Sequence, residues 1–284
     1  MPSSPTPVPI SASLAQALEV ATEAAREAGA ILARGFSGGP AAVFGLRQRA
    51  ATKAGEFDLV TEYDRRSEVL LVDRLGAAFP GDRVIAEEGC GQDGDRDGAI
   101  WYVDPLDGTT NFAHGLPFFC VAIARVVEGH VDVGVVHAPV LGATFTATRG
   151  GGAFCNGKRL AVSDAATLDR AVLGTGFPSD RATSPDNNFA QFMAVKLKVR
   201  GVRRYGSAAL DLAMVAAGTF DGYWEMKLKP WDLAAGSLLV EEAGGRCTGW
   251  SGEPLQLERG AALASNGILH DQIVELVSAA GRKP

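Results

Sequence analysis

The stretch Trp101–Gly115 reads WYVDPLDGTTNFAHG. An apolar approach runs into two aspartates, Asp104 and Asp107, set around Pro105 and Leu106 and followed by Gly108-Thr109-Thr110. Trp101-Tyr102-Val103 reads as a buried strand, and buried carboxylates stay ionised only where a cation or strong donors balance them. No lysine or arginine lies within the motif. Pro105 stiffens the backbone between the acids, so both carboxylates and the Leu106 carbonyl could converge on a hard cation. All-oxygen ligation of that kind suits Mg²⁺.

Further acids stand at the ends of predicted elements. Glu87 and Glu88 follow the short strand Val84-Ile85-Ala86, Asp64 opens a helix, and Asp232 sits where a helix N-cap belongs. Singly, each has an ordinary structural role: Asp232 as a cap, Asp107-Gly108 as a turn, Glu88 as a solvated charge. Together, Glu87, Asp104, Asp107 and Asp232 carry about −4, against roughly +4 to +6 from two or three Mg²⁺ ions. A surplus of about +2 would suit a phosphate monoester dianion. Gly108–Thr110 offers backbone donors for it, and the helix opening at Asp232 adds its positive dipole end.

Such a site binds or hydrolyses phosphate esters. Hydrolysis needs a water made nucleophilic by metal, a relay to orient it, and metal contact on the departing oxygen. Thr109 is a relay if Asp64 accepts its proton. Its other reading is a turn hydroxyl bonded to its own backbone, and spacing does not choose between them.

These residues need elements to hold them. Leu14, Leu18, Ala21, Ala25, Ala28 and Leu32 step by four and three, which predicts an opening helix ending at Gly35–Pro40. A second helix is expected over Asp64–Phe79. From Phe118, alternating runs predict successive antiparallel strands, with Gly150–Gly152 as a hairpin turn and not a phosphate cradle. The second half alternates a strand at AVLGTGF, a helix near Asn188–Leu197, a strand VRGVRRYG, a helix Ser207–Ala217, a strand FDGYWEM, and helices at Asp232–Ala243 and Leu269–Ala280. The mixture predicts a layered α/β sandwich. Residues 1–12 are expected to be disordered and 13–284 to form a single domain, with a soft boundary near 178–186.

Composition closes off other classes. The chain has 284 residues, 46% of them hydrophobic, and a net charge of −6 with no long basic run, so nucleic acid is not an expected partner. No apolar stretch reaches a membrane span and no secretory leader is visible, which predicts a cytoplasmic protein. Four scattered cysteines, Cys90, Cys120, Cys155 and Cys247, imply neither a zinc cluster nor a disulfide framework and read as buried thiols.

Four motifs, DLVTEYD at Asp58–Asp64, AEEG at Ala86–Gly89, DPLDGTTNFAHGLPF at Asp104–Phe118 and PWDLAAGSLLVEEAGG at Pro230–Gly245, resemble the inositol monophosphatase family in type and order, over about residues 14 to 280. The resemblance implies an αβαβα sandwich of the inositol monophosphatase and sugar phosphatase type. It also implies a Mg²⁺-dependent, lithium-sensitive phosphomonoesterase, commonly a homodimer. By the same resemblance Glu87, Asp104, Asp107, Asp232 and the Leu106 carbonyl are the metal ligands, with Glu87 also counted as catalytic. Asp64 and Thr109 orient the attacking water, and Gly108, Thr109 and Thr110 hold phosphate. Lys53 matches a family lysine near the metals; Gly206, Ser207, Ala208 and Glu225 match positions that contact the alcohol.

The segment WEMKLKPWD carries Lys227 and Lys229 in a stretch that, by the resemblance, varies with substrate across the family. The leading expectation is a small polyol monophosphate, inositol 1-phosphate first. Histidinol phosphate and fructose 1,6-bisphosphate are rivals served by the same machinery, as are 3′-phosphoadenosine nucleotides. A rival of another class is a catalytically silent, metal-binding regulatory protein.

Overall fold

A computed structural model of the chain describes residues 11–36, 51–52, 59–95 and 98–280. The N-terminal disorder expected for residues 1–12 falls outside this set for 1–10, and Lys53 lies outside it as well.

Helix α1 (Ala12–Phe36) buries Ala17, Ala21, Ala24, Ala25, Ala28, Ile31 and Leu32, a spacing of three and four that lines one helical face. A two-residue antiparallel pair, β1 (Ala51–Thr52) and β2 (Leu59–Val60), leads into α2 (Glu62–Ala78), whose N-cap is Thr61. Then come β3 (Arg83–Ala86), β4 (Ile100–Asp107), the short α3 (Thr109–His114), β5 (Cys120–Val127), β6 (His130–Ala138), β7 (Ala143–Thr148), β8 (Gly152–Cys155) and β9 (Lys158–Arg159). These strands form one seven-stranded sheet in chain order, parallel only between β3 and β4.

The second half contributes β10 (Val172–Thr175), α4 (Phe189–Lys196), β11 (Gly201–Arg203), α5 (Ala208–Ala216), β12 (Gly222–Glu225), α6 (Pro230–Glu242), β13 (Arg246–Thr248), β14 (Ala262–Ser265) and α7 (His270–Ala280). Its five strands pair in the order β11-β10-β12-β14-β13. Strands β13 and β14 are too short to show a period, and sequence patterning misses them.

Period-two alternation builds the layers. Trp101, Val103, Val121, Ile123, Val133 and Val135 pack on α1 and α2. Tyr102, Ala122, Ala124 and Val126 point the other way, onto α5 and α6, which in turn meet Tyr223, Ala262 and Ala264. Leu173, Trp224 and Leu263 face outward to Val195 of α4 and to Ile273 and Val277 of α7. The order is therefore helices, sheet, helices, sheet, helices, as the resemblance implied. A Cβ on Gly134 of β6 would lie 2.9 Å from the Ala235 carbonyl, so glycine sets how closely α6 approaches the large sheet.

Among the described residues no helix is long and apolar enough to cross a membrane. The cysteines depart in part from expectation: Cys120 is buried, Cys155 and Cys247 are half-buried, and Cys90 is exposed.

Candidate active site

Strand β4 does not stop before its acids; it runs through them. The pairing with β5 slips between Asp104, opposite Ala122, and Asp107, opposite Cys120, so three steps on β4 match two on β5. This is a bulge with one extra residue. In a regular pleat, residues three apart face opposite sides. The extra residue brings Asp104 and Asp107 onto one face, toward α5 and α6, and accommodates Pro105, which has no N–H for the ladder.

Both acids are buried, Asp104 at 2% exposure and Asp107 at 9%. Burial pushes the Asp104 carboxyl well above its usual range, and Glu87, Asp107 and Asp232 push it further. Asp232 is likewise raised by burial and then by Asp107, Glu87 and Glu225, opposed by the Lys229 backbone. The acids that the sequence sets far apart thus share one electrostatic neighbourhood. Asp104 accepts from the Leu106 N–H at 2.9 Å and hydrogen-bonds Glu87. Asp107 Oδ2 accepts from Ser207 Oγ and from the Ala209 N–H, each at 2.8 Å. Burial raises Asp107, and these donors pull it back.

The donor set is oxygen only, which fits a hard divalent cation. Among the described residues no three His, Cys, Asp or Glu side chains stand close enough to enclose an ion.

Two helix starts supply the remaining acids. Asp232 is not the N-cap of α6: the cap is Lys229, whose backbone N–H donates to Asp232 Oδ2 at 2.7 Å. Asp64 holds the same third helical position in α2, accepting the Thr61 N–H on Oδ2 at 2.8 Å. Its Oδ1 accepts from Thr109 Oγ1 at 3.0 Å, the pairing a water relay requires. The same hydroxyl lies 3.1 Å from the Leu106 carbonyl, so both sequence readings of Thr109 are present and its single proton serves one acceptor at a time. Burial raises Asp64, while the Thr61 and Thr109 donors lower it.

Gly108 opens α3 at φ +98°, and a Cβ there would meet the Phe118 carbonyl at 3.1 Å and the Gly206 carbonyl at 3.3 Å. Only glycine combines that conformation with that crowding. Asn111, which sequence reasoning passed over, ties the region together through Nδ2, donating to the Phe118 and Tyr205 carbonyls at 2.6 Å. Thr109 is half-buried beside Gly108, and Thr110 is exposed. Ser207, at 1% exposure, directs its hydroxyl at Asp107, and Ala208 is buried behind it. Glu225 is raised to about 7, chiefly by burial, with Tyr223 and Arg204 opposing; the Tyr223 hydroxyl donates to it.

Other expected features find different employment. Lys227 Nζ pairs with Asp180 at 2.6 Å and reaches Ser184 Oγ at 2.8 Å, pinning the 178–186 loop. The Gly150 and Gly152 N–H groups do bind an anion, but it is Glu242 of α6, at 2.7 and 2.8 Å.

The model of the inositol monophosphatase family matches residues 13–282. An inositol-1-monophosphatase of Synechocystis sp. is 42% identical over 92% of this chain and 88% of that protein. The Nus factor SuhB of Pseudomonas aeruginosa is 43% identical over 88% of this chain and 91% of its own length. A Thermotoga maritima fructose-1,6-bisphosphatase/inositol-1-monophosphatase is 42% identical over 80% and 85%. The solved inositol monophosphatase of Anabaena (Nostoc) sp. superposes with a TM-score of 0.83 at 40% identity, covering 94% of this chain and 97% of that one. The family is generally metal-dependent and acts on small phosphate esters. With its sequence and its five layers matched end to end, this chain belongs to the inositol monophosphatase family and is a phosphoric monoester hydrolase.

Proposed function

We propose that the chain is a Mg²⁺-dependent phosphatase of a small polyol monophosphate, inositol 1-phosphate first. The observation that carries this reading is the bulged β4, which turns Asp104 and Asp107 to one face within electrostatic reach of Glu87 and Asp232. The Asp64–Thr109 pair stands beside them.

Glu87, Asp104, Asp107, Asp232 and the Leu106 carbonyl would hold two or three Mg²⁺ ions. When bound, magnesium supplies Lewis-acid polarisation of the ester phosphate and acidifies water. Thr109 donates its own proton to Asp64, which leaves its oxygen free to accept one from the attacking water and so to aim it. Gly108, Thr109 and Thr110 cradle the phosphate. Ser207 and Ala208 keep Asp107 in place from behind, Gly206 shapes the wall, and Glu225 takes hydroxyls of the alcohol. Lys53 matches a family lysine near the metals.

A sugar bisphosphate is a second reading. Arg204 lies so close over Gly206 that a Cβ there would meet its Nη1 at 2.3 Å. A guanidinium at that place could take a second anionic group. An imidazole or ammonium alcohol has less support, since Asp211, a further acid whose carboxyl is raised well above its usual range by burial and then by Glu225, is 1% exposed.

Phosphate release from inositol 1-phosphate, histidinol phosphate, fructose 1,6-bisphosphate and a 3′-phosphoadenosine nucleotide, with and without Mg²⁺, tests the reading. Inositol 1-phosphate should lead, and full activity in excess chelator would sink the metal-dependent mechanism. A catalytically silent regulatory protein would release phosphate from none. Lithium inhibition and a homodimer are what the family implies; inhibition assays and light scattering read them directly, and cell fractionation reads the location.

A further inference from the structure

We propose that Glu68 is a positioning residue for Glu87, which makes the first two turns of α2 a brace for the acidic face. Asp64, Ser67 and Glu68 sit at i, i+3 and i+4 and so share one side of the helix. All three are 0% exposed. Each reaches a different segment of the site: Asp64 the Thr109 hydroxyl at 3.0 Å, Ser67 Oγ the Pro105 carbonyl at 3.1 Å, and Glu68 the turn that follows Glu87.

That turn is closed at its base, where Val84 and Gln92 exchange backbone bonds of 2.9 and 2.8 Å, and Glu87 donates to the Val103 carbonyl at 3.2 Å. Between these ties, the Glu88 N–H meets Glu68 Oε2 at 2.6 Å and the Cys90 N–H meets Oε1 at 2.7 Å. One carboxylate thus takes both donors, an oxygen each, in charge-assisted bonds. Among the described salt bridges none reaches Glu68. A buried glutamate is tolerated there because the turn satisfies it, and in exchange the turn acquires one shape. Glu87 is the first residue of that turn, so its aim toward Asp104 depends on a side chain that touches neither cation nor substrate.

This role rests on the reading of Glu87 as a cation ligand, and the experiments separate the two. Glu68→Gln keeps the volume but sets an NH₂ donor against a backbone N–H. Apparent Mg²⁺ affinity should fall about 10- to 100-fold, the range for groups that support metal ligands. Mg²⁺ titration of the thermal midpoint and calorimetry, both without substrate, read that loss, while kcat at saturating Mg²⁺ stays near wild type. A merely structural role lowers the thermal midpoint of metal-free protein and leaves the Mg²⁺ half-saturation unchanged, which would overturn the proposal. Should the variant not fold, hydrogen exchange on the wild-type chain decides: the Glu88 and Cys90 amides must be protected in metal-free protein, and free exchange overturns the brace. If the wild-type chain itself binds no Mg²⁺, the ligand reading of Glu87 fails, and with it the positioning role.

Discussion

The starts of α2 and α6 use one local device for two ends. In each, an aspartate at the third helical position accepts the backbone N–H of the N-cap, Thr61 for Asp64 and Lys229 for Asp232. Around Asp64 the neighbours are hydroxyls, and the side chain is fully buried. Around Asp232 they are carboxylates. The local motif spends one carboxylate oxygen in both places; the tertiary neighbours decide what the other does. Donors make Asp64 an acceptor for the Thr109 proton, whereas the anions around Asp232 are what suits it to the cation in the proposed function.

If that contrast is right, the acids on the cation side should be dispensable for folding and indispensable for turnover. Asp104→Asn should abolish phosphate release while the metal-free protein keeps or raises its thermal midpoint, since one repelling charge is removed; near-normal turnover would break the assignment. Asp64→Asn should cut kcat about 10²- to 10⁴-fold, the range for a lost acid–base group, with the Mg²⁺ half-saturation unchanged. Asp232→Asn should instead raise that half-saturation. Identical profiles for the two variants would erase the distinction.

A third buried group tests whether neighbours set protonation away from the site. His270 is held between Thr248 Oγ1 and Ser265 Oγ at 2.9 Å each. Thr248 donates its proton to the Gly249 carbonyl, so Nε2 carries the imidazole hydrogen and Nδ1 accepts. Burial, chiefly, lowers this histidine to about 4. The unfolded chain therefore binds the proton first as pH falls below about 6.5, and the folded state follows only near 4. The contribution is complete above that window and lost across it, about 3 kcal/mol in all. Chemical denaturation of wild type and His270→Asn from pH 7 to 4 should show the wild type losing stability more steeply by about that amount.

The smallest expected effect lies across the site. Glu225→Gln should raise KM for inositol 1-phosphate roughly ten-fold and leave a small aryl phosphate near its original value. Equal shifts would remove Glu225 from alcohol recognition.

The three- and four-residue steps of Ala21, Ala25, Ala28 and Leu32 and the alternation from Phe118 onward were sufficient to place α1 and strands β5 to β8 of the large sheet. Asp104, Asp107 and Glu87 were legible as a group because acids at the ends of apolar runs are costly without partners. Several site features were not. Asp232 reads as a cap in one dimension, since only backbone geometry separates a cap from the third helical position. Ser207 matches an alcohol-contacting position by resemblance, and that its hydroxyl also donates to Asp107, 100 residues away, is not visible in the sequence. Glu68 and Asn111 carry no motif of their own, because their partners are backbone atoms 20 to 22 and 7 to 95 residues away.

The residue types by themselves determined the chemistry proposed for this protein: oxygen donors for a hard cation, and a hydroxyl with a carboxylate to accept its proton. Periodicity determined which elements carry them, because burial on one face must repeat with the backbone's own pitch. Which face each acid turns to was decided only in three dimensions. A one-residue slip between β4 and β5 reverses the side on which Asp107 falls, and nothing in a strand's composition encodes the register of its neighbour.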